Sequence, residues 1–333
     1  MPKASILIPF RNAEKYLKAC LESIQAQTDT DWEVILIDDH SEDSGRNIAE
    51  DFCEKDTRFQ VSTNKGKGII SGLRTAYEKS SGELITRMDA DDIMMNEKIS
   101  ELKQILIKEN RGVVATGLVK YFSDDELGNG YERYENWLNQ LLKDQTGYQE
   151  IYKECVVPSP CWMLWREDLD LVGAFDSDVY PEDYDLCFRF YKQGLRVVSS
   201  LKTLHHWRDY PERTSRNDPR LKDQSFMRLK LARFLELEML AGDEVAIWGA
   251  GKKGKLLARL LREKKTEFSW VSDNPRKHGK SIYDTCIESS TVLKNKTKVK
   301  VLVAVTQRGM QQEIGDCLES YKFKQGEDYY FFC

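Results

Sequence analysis

Three times in its first hundred or so residues the chain repeats one pattern: a short apolar run, a polar break, then apolar residues at helical spacing. Ser5 to Ile8 ends at Pro9, and Asn12 is expected to cap a helix with Ala13, Tyr16, Leu17, Cys20, Leu21 and Ile24 on one face. Trp32 to Ile37 stops at Asp38, Asp39, His40 and Ser41, with Ile48, Ala49 and Phe52 following. Glu83 to Met88 stops at Asp89, Ala90, Asp91 and Asp92, with Ile99, Leu102, Ile105 and Leu106 following. Strands alternating with helices in this way imply an α/β fold whose mostly parallel, twisted sheet is covered on both faces. Ligands of such open sheets bind beyond the carboxyl ends of the strands. Here those ends carry Pro9 to Asn12, Asp38-Asp39 and Asp89 to Asp92, so three loops point at one crevice.

The chain has 333 residues, more than the ~150 that make one typical domain. Asp218-Pro219 has the form of a helix cap followed by proline at the first helical position, opening a helix through Phe226, Leu229, Arg233 and Leu240 that Ala241-Gly242 would close. A fresh strand, Glu244 to Trp248, a glycine turn and a helix over Lys255 to Arg262 then begin, with further strands at Phe268 to Ser272 and Lys300 to Val305. The expected division is a first domain over 1–217, a linker helix over 218–240 and a small Rossmann-like α/β domain over 241–333. Between Phe122 and Gly130 lies a polar, turn-rich stretch that reads as a solvated connection.

Fifty Lys and Arg against 55 Asp and Glu leave a net charge of −5 with no long block of one sign, which argues against a nucleic-acid partner. No apolar run approaches the ~18 residues of a spanning helix, so no transmembrane segment is expected. The eight cysteines are scattered without C-x-x-C spacing, which points to reduced thiols and a cytoplasmic protein. A homo-oligomer stays open.

Two acidic features carry candidate chemistry. Asp89, Asp91 and Asp92 follow an expected strand, where a tight loop can aim carboxylates at one point, the arrangement by which Mg²⁺ is held with help from substrate phosphates. Taken alone, the same acids read first as the favoured residues of a helix start. Glu182-Asp183 opens another helical stretch after Tyr180-Pro181, and either a proton acceptor for a substrate hydroxyl or a second acidic cap would look like this.

Together these residues resemble glycosyltransferase family 2, the inverting group with the GT-A fold of nucleotide-diphospho-sugar transferases. Pro9 to Asn12 is similar to its P-x-x-N opening, Val34 to Ser41 to its acidic second strand, Asn64-Lys65-Gly66 to its N-x-G, Ser81 to Glu83 to the approach to the metal strand, and Asp89 to Asp92 to its D-x-D. Gly173 to Asp176, Glu182-Asp183 and Arg189 resemble its acceptor-side block, so the likeness covers about residues 3 to 215. The resemblance implies a hexosyltransferase that moves a sugar from a UDP-sugar to a hydroxyl of a glycan or similar acceptor, with Mn²⁺ or Mg²⁺. It implies that Asp39 contacts the uracil, that Pro9, Arg11 and Asp38 line the nucleotide-sugar pocket, and that Asp89 reaches the ribose and shares the metal with Asp91, the main ligand, with Asp92 behind. Asp183 would be the catalytic base.

Two places depart from the family pattern. Tyr210 stands where a histidine often approaches the metal or diphosphate, with His205 and His206 nearby as substitutes. Lys65, Lys67 and Arg74 replace an Arg-Asn pair, and Lys67 is the choice for the diphosphate. Pro158, Pro160, Cys161, Trp162 and Trp165 would form an acceptor floor, or equally a buried core.

In the tail, Gly249, Gly251 and Gly254 follow a strand and open a helix, and Asp273 ends the next strand, the spacing of a dinucleotide fingerprint. This second nucleotide site supports the alternative of an NAD(P)-dependent nucleotide-sugar oxidoreductase or a nucleotide-sensing protein, and a degenerate scaffold is a third. Val245 to Gly254, Val271 to Asp273 and Tyr329 to Phe332 also resemble the C-terminal region of a narrower group within the family, which implies N-acetylglucosamine as the sugar.

Overall fold

The computed structural model describes residues 2–124, 128–218, 220 and 223–333. Asp125, Glu126 and Leu127 of the polar connection, and Pro219 of the expected helix cap, lie outside the described residues. The chain divides into two compact units, Met1–Gly147 with Val156–Asn217, and Tyr148–Cys155 with Asp218–Cys333.

The first unit opens with β1 (Ala4–Phe10), α1 (Leu17–Gln25), β2 (Trp32–Asp38), α2 (Gly45–Lys55), β3 (Phe59–Thr63), α3 (Gly68–Lys79) and β4 (Leu84–Arg87). β1 and β2 are buried along their whole length, as continuous apolar strands covered on both faces must be. α1 buries Leu17, Cys20, Leu21 and Ile24, one stripe at 3.6-residue spacing. Asn12 does not cap it. Asn12 sits at φ 50° and its side-chain oxygen accepts from the Glu42 amide at 2.9 Å, tying the loop after β1 to the loop after β2, and the helix begins four residues later than its N-cap signal implied.

The unit continues with β5 (Ile93–Met94), α4 (Lys98–Glu109), β6 (Val113–Phe122), α5 (Asn129–Asp144), β7 (Trp162–Trp165), α6 (Arg166–Leu171), α7 (Glu182–Lys192), β8 (Arg196–Arg208) and the short α8 (Thr214–Asn217). Its sheet runs β3-β2-β1-β4-β7-β6-β8-β5. The first four strands are parallel, but β7 runs antiparallel to both β4 and β6, and β5 antiparallel to β8. The sheet is therefore mixed but mostly parallel: β6 and β8 run with the first four strands, and β7 and β5 run against them. The chain passes from β1 to β2 on one side and later to β4 on the other, so the strand order reverses beside β1, the place where open α/β sheets bind their ligands.

The second unit contains α9 (Asp223–Leu237), β9 (Glu244–Trp248), α10 (Lys252–Glu263), β10 (Phe268–Val271), β11 (Ser281–Ile282), β12 (Thr285–Glu288), β13 (Val299–Val303), α11 (Arg308–Ser320) and β14 (Tyr329–Phe331). Its sheet runs β11-β12-β10-β9-β13-β14, parallel from β12 to β14. Tyr152, Phe234, Tyr330 and Phe332 form an aromatic cluster inside this unit, with Tyr152 stacked on Phe332 at 5.5 Å. All eight cysteines are free, and among the described residues no helix is long and apolar enough to cross a membrane.

Candidate active site

The loops after β1, β2 and β3 are fastened to one another through Asp39. Its amide donates to Phe10 O at 2.8 Å, while its carboxylate accepts from the Asn64 side chain at 2.7 Å and from the Gly68 amide at 2.8 Å. Asn64 in turn accepts from the Ser71 hydroxyl at 2.7 Å and the Gly66 amide at 3.2 Å. The N-x-G stretch is thus a brace that aims Asp39. Each carboxylate oxygen keeps a second lone-pair direction for a ligand. Asp38 is buried and accepts from the Ser41 amide at 3.0 Å. Pro9 lies in β1 against α3, where a Cβ on Gly72 would come within 2.8 Å of it, so only glycine allows the helix that close. Arg11 is exposed beside this group. Lys65 pairs with Glu78, and Arg74 with Asp178 and the Phe175 and Asp176 carbonyls, which leaves Lys67, exposed before the first turn of α3, as the uncommitted cation of the three.

Beyond β4, Asp89 and Asp91 of the elbow are half-buried and Asp92 is fully buried, near Arg87, which ends the strand and is 5% exposed. One terminal nitrogen donates to Asp89 at 2.8 Å and the other to Glu182 at 3.1 Å, so a single guanidinium joins the elbow to the first turn of α7, which carries Asp183. Burial pushes the Asp89 carboxyl up, but Arg87 outweighs it and holds the group below its ordinary value. Burial pushes Asp183 up, and Asp89 adds to this while Arg87 opposes it. Glu182 is raised by burial and by Asp183. Asp183 accepts from the Tyr184 amide at 2.8 Å.

Asp91 is raised to about 7 by burial and by the charges of Asp92 and Asp89, against the opposing pull of Arg213 and the Tyr210 hydroxyl bonded to it. Asp92 is fully buried, accepting from His205 Nε2 at 2.9 Å and from the Arg208 amide at 2.8 Å. Three groups lie near the place where the family pattern has a histidine. His205 has Lys98 at 3.3 Å on its other nitrogen and no ring position left for a metal. His206, its neighbour in β8, is half-buried with its ring 6.0 Å from that of Phe122. The Tyr210 hydroxyl is hydrogen-bonded to Asp91.

A divalent cation fits this set. The acids outnumber the cations facing them, and the elevated Asp91 records the shortfall of positive charge. Among the described residues no group of three His, Cys, Asp or Glu is placed to hold a metal ion, so a cation bound by Asp89 and Asp91 would need further oxygen ligands from elsewhere.

Trp162 is buried in β7, so it belongs to the core, whereas Trp165 is half-buried. In the tail, Gly249 sits at φ 115° and a Cβ on Gly254 would lie 1.9 Å from Gly249 O, so packing accounts for both glycines. Among the described residues nothing lies within 4 Å of a Cβ placed on Gly251. Asp273 accepts from Trp248 Nε1 at 2.6 Å and from Ser290 Oγ at 3.0 Å, so the fingerprint's acid is engaged by its own fold.

The sequence pattern of glycosyl transferase family 2 matches residues 5–173. The glycosyltransferase GlyG of Streptococcus pneumoniae is 35% identical over 61% of this chain and 70% of its own length. EpsJ of Bacillus subtilis, described as an uncharacterized glycosyltransferase, is 26% identical over 63% of this chain, and the match spans 62% of EpsJ. Among solved structures, S. aureus TarS 1-349 in complex with UDP-GlcNAc aligns with a TM-score of 0.56 at 18% identity, covering 78% of this chain and 71% of that one. That likeness is one of fold.

Proposed function

The chain belongs to glycosyltransferase family 2, and from that premise we propose that it is a metal-dependent inverting transferase that moves a sugar from a UDP-sugar to a hydroxyl of a glycan or similar acceptor. The observation that carries this reading is Arg87, whose two arms gather the elbow and the first turn of α7 into one site. Asp39, Asp38, Pro9 and Arg11 take the nucleoside, with Lys67 beside the diphosphate. Asp89 and Asp91 would hold Mn²⁺ or Mg²⁺, which when bound offsets the charge of the departing diphosphate.

Asp183 accepts the proton of the acceptor hydroxyl as that oxygen attacks the anomeric carbon from the face opposite the diphosphate, and an α-linked donor yields a β-linked product. A carboxylate raised by burial is a stronger base than an ordinary aspartate, which suits this role. The tail's likeness to β-1,3-N-acetylglucosaminyltransferase-like proteins supports UDP-N-acetylglucosamine as the donor, and TarS, of similar fold, was solved with that nucleotide sugar. The free cysteines support a cytoplasmic site of action.

Calorimetric titration with UDP, with and without Mn²⁺, tests the reading, followed by a screen of UDP-sugars for metal-dependent hydrolysis. UDP binding strengthened by the metal is expected. Binding indifferent to it would refute the metal-dependent mechanism.

A further inference from the structure

Behind the acidic elbow lies a buried polar chain that the reaction above does not use. Lys98, in the first turn of α4, is completely buried, and its ammonium donates to the Pro160 carbonyl at 2.5 Å and to His205 Nδ1 at 3.3 Å. Because an ammonium has donors only, Nδ1 must be the accepting nitrogen, which places the ring hydrogen on Nε2. That hydrogen faces Asp92 Oδ2 at 2.9 Å, and Asp92 Oδ1 accepts from the Arg208 amide. Two further bonds fasten the elbow's backbone: Arg208 Nε donates to Asp91 O at 2.8 Å and Cys20 Sγ lies 3.5 Å from Asp89 O.

Burying a lysine is costly, and an apolar side chain of the same length would pack α4 at less expense. Lys98 therefore supplies something other than packing. Its two partners are informative: Pro160 lies in the segment that leads into β7, and His205 leads to Asp92. We propose that Lys98 and His205 are positioning residues that lock the metal-holding elbow, through Asp92, in one setting relative to the Pro158–Trp162 segment. The inference rests on the transferase reading, since it gives the elbow's setting a purpose.

The test uses the full chain, with UDP as the probe and calorimetry with and without Mn²⁺, each variant's fold being checked by thermal unfolding. Lys98→Met keeps the length and removes the donors. The Mn²⁺-dependent gain in UDP affinity is expected to fall about tenfold or more, while metal-free UDP affinity, set by the Asp39 brace, stays within about twofold. His205→Gln retains an N–H for Asp92 and is expected to keep most of the gain. His205→Leu is expected to lose it as Lys98→Met does. A folded Lys98→Met protein with the full Mn²⁺ gain overturns the proposal, as does an equal loss in His205→Gln and His205→Leu. Should Lys98→Met fail to fold, the histidine pair decides. If the unaltered protein shows no Mn²⁺ gain at all, the transferase reading fails first. A normal gain that the variants leave unchanged sinks only this inference.

Discussion

Arg87 is buried with Asp89 at 2.8 Å and Glu182 at 3.1 Å, so replacing it leaves two half-buried carboxylates without their cation. Losing one partner of a buried ion pair costs about 3–5 kcal/mol, and Arg87→Met is expected to lower stability by that order at pH 7, read from urea midpoints. A variant as stable as the parent would mean that the guanidinium does not hold the two acids together. Asp183→Asn acts differently. It leaves the Asp39 brace untouched, so UDP affinity should stay near the parent's while transfer falls by about 10²–10⁴-fold. Because burial raises Asp183, the base is lost by protonation at a higher pH than an ordinary aspartate, and the acidic limb of kcat/KM should lie above about 4. A limb at or below that value, or transfer retained by the Asn variant, would remove Asp183 from the role. The acids were legible in the sequence because they punctuate strand ends. Arg87 was not, since one charged residue at the end of an apolar run reads as the edge of a strand, and its partner Glu182 is distant in sequence. Lys98 was hidden for the same reason, and His205 could be read from the sequence only as a candidate beside the metal, since its bonds to Lys98 and Asp92 are tertiary contacts.

At the scale of elements, the amino ends of β1, β2 and β4 are clamped by Glu33. Its carboxylate accepts from Lys3 at 2.6 Å, the Ser5 hydroxyl at 2.7 Å and the Ser81 amide at 2.6 Å, and Gly82 packs so closely that a Cβ would meet Lys3 O at 2.6 Å. Burial alone would raise Glu33, but the Lys3 ammonium and the Ser81 and Ser5 donors outweigh it and lower the group from 4.5 to about 2. A lowered carboxylate contributes stability that is present above its unfolded value and lost as the pH falls from 4.5 toward 2. Glu33→Gln should therefore cost on the order of 2 kcal/mol at pH 7, discounted for the half-exposed lysine, and far less at pH 3. Equal losses at both pH values would show that the charge is not what clamps the strands. The strands themselves were readable, since β1, β2 and β9 are apolar runs bounded by polar breaks. Direction was not: an apolar run such as β7 looks the same whether its neighbours run with it or against it. The cap assigned to Asn12 failed because its side chain found a partner in the loop after β2 instead of a helix amide.

For the whole molecule, the informative segment is Tyr148–Cys155, which in sequence falls between α5 and β7 but belongs to the second unit. Ile151 and Tyr152 are each 2% exposed. The Tyr152 ring lies 5.7 Å from Phe234 and 5.3 Å from Tyr330, and its hydroxyl donates to Glu238 at 2.8 Å. No spacing rule links Tyr152 to partners so far along the chain, which is why a boundary near residue 217 looked sufficient from sequence. The consequence is that one cut cannot separate the units cleanly. A fragment ending at Asn217 would carry Tyr152 without the aromatic rings that pack against it, and should aggregate or bind a hydrophobic dye. Replacing Tyr152 by Ser in that fragment should relieve it. In the full chain, Tyr152→Ala should remove about 3 kcal/mol from the second unit by leaving a cavity among Phe234, Tyr330 and Phe332, lowering a melting transition while UDP binding at 25 °C is preserved. If the 1–217 fragment is monomeric and dye-free as cut, residues 148–155 do not depend on the second unit for their burial, and the division of the chain would have to be redrawn at a single point.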